Sequence, residues 1–136
     1  MENNGKMEAC CLGITLNEYQ RRAMSTCTES SHNFAYMLNG LGGEYGELAG
    51  KVAKGIRKGL LEIKNNRLIL TTDIDKADDT DELYAGIIAE LGDCLWFIAG
   101  LCDVLGIHLN DLGRQNLDKL ADRAQRGVIV GDGDNR

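Results

Sequence analysis

A chain of 136 residues with no proline, 5% aromatics and 17 glycines has room for one hydrophobic core but not two, and its composition suits packed helices better than a sandwich or barrel. A net charge of −6 excludes broad electrostatic binding of nucleic acid or of an anionic membrane surface, although a metal ion or a local group of Lys and Arg still lets an acidic protein hold phosphate. Five cysteines, Cys10, Cys11, Cys27, Cys94 and Cys102, form neither an even disulfide set nor a C-x-x-C metal pair, which implies reduced thiols and a cytoplasmic setting.

The first residues, 1–14, lack the cationic start and apolar run of a secretory signal and read as a frayed polar beginning. Thr15 or Asn17 can cap a first helix over about 16–29, with Leu16, Tyr19, Ala23 and Cys27 on one face. A second helical pattern runs from about Phe34 to Lys58, carried by Leu38, Leu41, Leu48, Val52 and Ile56. Gly40, Gly42 and Gly43 invite close packing or a break before Glu44, and Gly59 stops the helix.

Residues 59–80 mix a short β-branched run with turn formers, which predicts a small hairpin or an irregular loop. Thr80 or Asp81 then caps a third helix that reaches about Leu105 and ends at Gly106. Its core, LYAGIIAELGDCLWFIAGLC, is so apolar that the spacing predicts burial throughout; two acids inside it and several glycines argue against a membrane span. Asn110 caps a fourth helix, about 110–126, with Leu112, Leu117, Leu120 and Ala124, and a glycine-rich tail follows over 127–136. The fold class is therefore all-α: one domain, 1–136, built as a bundle of four main helices with a hairpin or loop insertion between the second and third.

Glu90 and Asp93 stand three residues apart on the third helix, so they project side by side. At about 100° per residue Phe97 and Leu101 share their face, so no wholly polar side is left for the acids, and burial without cations or hydrogen-bond donors is costly. Glu44 and Glu47 repeat the spacing on the second helix, and Lys51, Lys54 and Lys58 continue roughly along that stripe. Two such pairs on packed helices would surround one pocket with hard oxygen ligands, which suit Mg²⁺ or Mn²⁺ rather than zinc. Asn116, Lys119, Arg123 and Arg126 fall along one side of the fourth helix as candidate triphosphate ligands. For Glu90 and Asp93 the rival to a metal is a buried salt bridge to Lys or Arg; for Glu44 and Glu47 it is a solvated surface. Trp96 and Phe97 read as core or interface, and His32 and His108 as structural or surface residues.

The pattern E-x-x-E (Glu44, Glu47), then E-x-x-D (Glu90, Asp93) before Cys94-Leu95-Trp96-Phe97, then N-x-x-K-L-x-x-R (Asn116, Lys119, Leu120, Arg123), resembles the MazG-like nucleoside triphosphate pyrophosphohydrolases. The tail RGVIVGDGDNR also looks like the ending of compact members, and the resemblance spans roughly Leu16 to Arg136. It implies an all-α NTP pyrophosphatase fold completed by pairing into homodimers or homotetramers. It further implies four acids holding Mg²⁺, and cleavage of a nucleoside triphosphate between its α- and β-phosphates. Residues 59–80 depart from that pattern as an insertion, and Ala89 stands where an acidic residue often precedes the second motif. The other classes open at this point are a non-catalytic helical interaction protein and a metal–nucleotide sensor.

Overall fold

In the computed structural model, which describes residues 13–130, helix α1 runs over Leu16–Met24, with the Thr15 hydroxyl accepting from the Glu18 N–H. It stops short of the expected end near 29. The Ser25 and Thr26 hydroxyls donate to the carbonyls of Arg22 and Ala23 at 2.6 and 2.7 Å, and the Trp96 indole N–H also reaches the Ala23 carbonyl. Hydroxyls that satisfy backbone groups locally compete with further helix.

Helix α2, Phe34–Lys58, has the expected bounds; the Asn33 side chain caps its start and Gly59, at φ 65°, ends it in the left-handed region. Its glycines do not break it. Strands β1 (Leu61–Lys64) and β2 (Arg67–Leu70) then pair antiparallel, with Lys64 opposite Arg67. Asn65 and Asn66 both take positive φ, the geometry of a tight two-residue hairpin turn, and Asn tolerates it better than most residues.

A single 3-10 turn, Ile74–Lys76, leads into α3, Ala77–Val104. The expected cap at Thr80 or Asp81 is not made. Asp73 caps the 3-10 turn instead, and the Thr80 hydroxyl bonds back to the Lys76 carbonyl within the helix, so α3 begins a turn earlier. Helix α4, Leu109–Gln125, likewise starts without the expected Asn110 cap. Asn110 and Asn17 exchange backbone-to-side-chain hydrogen bonds across helices, and buried Gln20 of α1 accepts from the Leu109 N–H while donating to the Ile107 carbonyl. The start of α4 is thus held from α1.

α2 and α3 form an antiparallel pair, with Met37 against Gly100 and the Phe97 ring lying on Gly40. A Cβ at either glycine would overlap the side chain packed there, so the absent side chains let the helices approach. Phe97 also meets Trp96 edge-on at 5.0 Å between ring centroids. At the same end of α3, on the side toward α1, Ala99, Cys102 and Leu109 pack with Tyr19, Met24 and Ile98.

α3 is not buried throughout, contrary to the expectation from its composition: Tyr84, Ile88, Leu91 and Leu95 form an exposed stripe, between 37% and 51% accessible. α1 and α2 cover only part of its circumference. Leu112, Leu117 and Leu120 of α4 are exposed as well. His32, read as structural or surface, bonds Asp103 at 2.7 Å across 71 residues of sequence. Among the described residues, the segment Ile74–Val104 is long and apolar enough to cross a membrane by length and composition. Cys27, Cys94 and Cys102 are free thiols, and the ends expected to be frayed or glycine-rich lie mostly outside the described residues.

Candidate active site

Because α2 and α3 run antiparallel with Gly40 at Phe97 and Gly100 at Met37, each step forward on one helix meets a step backward on the other. That register sets Glu44 and Glu47 opposite Asp93 and Glu90. Carboxylate oxygens of Glu44, Glu90 and Asp93 lie within 4.8 Å of one another, with Glu90 buried, Glu44 half-buried and Asp93 exposed. Glu47, one turn further along α2, is exposed and outside this triad. Asp93 has a route to water that the helical projection did not anticipate, because Ala89 and Gly92 beside it on α3 are exposed as well.

A cation meets this charge directly: the Lys51 ammonium lies 3.1 Å from Glu90 Oε1. The salt bridge expected as a rival to metal binding at Glu90 and Asp93 is therefore present for Glu90. It leaves the triad strongly negative. Burial, followed by a hydrogen bond to Glu90 and the charges of Asp93, Glu47 and Glu90, pushes the Glu44 carboxyl above its ordinary value of 4.5. Burial, with the Asp93 charge second, also raises the Tyr19 phenol, so α1 presents a ring on the Asp93 side. Nothing local in the sequence marks Tyr19, because the proximity arises between helices.

The raised Glu44 value has a definite sign in stability. The native state keeps this proton to higher pH than the unfolded chain does, so its contribution is full below about 4.5 and is lost as pH rises through the folded value. In a chelator, the melting temperature of the wild type should fall across that window more than that of Glu44→Gln. Parallel melting curves would contradict the crowding of these carboxylates.

The triad suits a divalent cation by chemistry. Its donors are all hard oxygens, they converge from two helices, and their charge is incompletely compensated. Beside it, Lys51, Lys54 and Lys58 line a cleft of about 140 Å³ with Leu60, Asp79, Glu82 and Gly86. Lys51 joins the two, since it pairs with Glu90 of the triad and lines the cleft with Lys54. Asn116 and Lys119 are not part of it, since they line a different cleft with Leu112 and Gln115. Arg123 is buried, and Arg126 pairs with Asp122 at 2.8 Å.

Residues 32–128 match the family model of the MazG nucleotide pyrophosphohydrolase domain. The chain is also 38% identical over 109 residues to the Gene 37 protein of Mycobacterium phage L5, across 79% of this chain and 81% of that protein. No solved structure matches it. The matched segment contains both acid pairs, the lysine cleft and the polar residues of α4.

Proposed function

We infer, because the chain belongs to the MazG nucleotide pyrophosphohydrolase family, that it hydrolyses nucleoside triphosphates, NTP or dNTP, between the α- and β-phosphates. The products are a nucleoside monophosphate and pyrophosphate. The observation that carries this reading is the convergence of Glu44, Glu90 and Asp93 beside a lysine-lined cleft. These acids, with Glu47 at the rim, would hold Mg²⁺ or Mn²⁺, which when bound supplies Lewis-acid polarisation of phosphate and a more acidic water.

In this reading a carboxylate oxygen of Glu44 or Glu47 orients the attacking water and takes its proton. Water oxygen bonds to phosphorus as the α–β bridge breaks, and the electron pair leaves with pyrophosphate. Lys51 and Lys54 neutralise the charge growing on that leaving group. Arg123 and Arg126 of α4 are further candidate triphosphate ligands in this proposal, whereas Asn116 and Lys119 belong to their separate cleft. The test is a panel of NTPs and dNTPs with separate detection of pyrophosphate and orthophosphate. Orthophosphate as the product would overturn the reaction class; binding without product would favour a metal–nucleotide sensor, a reading that the Lys51–Glu90 ion pair also allows.

The whole chain, in this proposal, acts as one cytoplasmic domain in a homodimer or homotetramer. Support comes from the exposed stripe Tyr84, Ile88, Leu91 and Leu95 on α3, with Leu112, Leu117 and Leu120 on α4, since apolar area of this kind favours burial against another surface. Sedimentation should give a mass above that of one chain, and Leu91→Glu should reduce it. A monomeric wild type would remove this part of the proposal.

A further inference from the structure

Lys51 occupies a position between two kinds of anion. Its ammonium reaches Glu90 Oε1 at 3.1 Å, yet the same side chain lines the cleft with Lys54 and Lys58. Its stem crosses α3 at Gly86: a Cβ built there would lie 3.3 Å from Lys51 Cδ and Nζ. With no side chain at 86 the ammonium can lie flat along α3 toward Glu90, one turn further on. The Lys51 side chain is 37% accessible whereas that of Glu90 is 10% accessible, so the lysine is the partner free to move away. A buried carboxylate that loses its cation is strongly disfavoured unless another cation replaces it.

We propose that Lys51 is an exchangeable counter-ion, holding Glu90 while the acid triad lacks a divalent cation and turning into the lysine cleft to bind a phosphate group of the leaving pyrophosphate once a cation takes Glu90. This rests on the metal reading above and extends it. Metal and phosphate then bind cooperatively, because the same event that loads the triad releases a positive charge into the cleft. Such coupling is reciprocal: phosphate in the cleft must raise metal affinity by the factor by which metal raises phosphate affinity. Lys54, which forms no ion pair among the described residues, contributes only its field.

The experiment uses the full chain with Mg²⁺ alone and inorganic pyrophosphate as probes, read by titration calorimetry. Lys51→Met should bind Mg²⁺ alone about five- to tenfold more tightly than wild type, because a partly exposed charged hydrogen bond no longer competes for Glu90. It should also bind pyrophosphate more weakly at saturating Mg²⁺, with the coupling between the two probes reduced. Lys54→Met should raise Mg²⁺ affinity less than twofold, a small long-range effect. Gly86→Ala keeps the lysine but crowds its stem, and should tighten Mg²⁺ binding in the same direction as Lys51→Met. Mg²⁺ binding by wild type that is unchanged in Lys51→Met and Gly86→Ala would overturn the exchange alone. No Mg²⁺ binding by wild type would overturn the metal reading and the exchange with it. Equal effects of Lys51→Met and Lys54→Met would reduce Lys51 to a general field contribution and overturn its role as a counter-ion.

Discussion

Glu90→Gln is expected to lower Mg²⁺-dependent pyrophosphate release by at least about 100-fold, since losing even an outer partner of a metal ligand costs roughly 10- to 100-fold. Glu90 is the buried member of the triad and the one to which protonated Glu44 donates a hydrogen bond, so neutralising it removes the charge at the centre of the site. Gln keeps the length and an oxygen that can accept from Lys51, whose side chain is itself partly exposed, so the helical fold should persist. Stopped-time pyrophosphate assays with circular dichroism on the same samples separate the two effects. A helical variant with undiminished turnover would end the assignment of Glu90 to the site.

Phe97→Ala should destabilise the fold by about 3–4 kcal/mol, the usual cost of emptying a buried aromatic position. The ring is 8% accessible, packs on Gly40 and meets Trp96 edge-on, so few neighbours can collapse into the space it leaves. Urea unfolding monitored by circular dichroism reads the change directly, and a loss under about 1 kcal/mol would show that the α2–α3 contact does not depend on the ring. Because the ring sits one turn from Asp93 on α3, the surviving folded fraction should also bind Mg²⁺ more weakly than wild type.

Much of this arrangement is legible before any coordinates, for reasons that are local. α2 carries its own apolar spacing and a terminating Gly59, and the turn formers between 59 and 80, Asn65 and Asn66 among them, mark the hairpin. The acid pairs are visible because an i, i+3 spacing fixes their common face whatever the helix packs on. What escapes is decided by partners distant in sequence. α1 ends early with help from Trp96, the start of α4 is bonded by Gln20 rather than Asn110, and His32 finds Asp103. The exposed side of α3 escapes for a different reason: an apolar face reads the same whether its own chain or another surface covers it. Asn116 and Lys119 follow a helical stripe as expected, yet α4 carries them to a separate cleft, because spacing along one helix does not say where that helix docks.

The close approach at Gly40 and Gly100 has a consequence for the acids one and two turns along. Gly40 lies one turn from Glu44 on α2 and Gly100 two turns from Asp93 on α3, so the helix separation set there bears on the point where carboxylates from both meet. With a cation held between them, the two missing side chains act as a gauge of ionic radius: Mg²⁺ requires oxygens at about 2.0–2.1 Å and Ca²⁺ at about 2.3–2.6 Å. Selection among ions of equal charge would then be written in the smallest residues of the bundle rather than in the acids themselves.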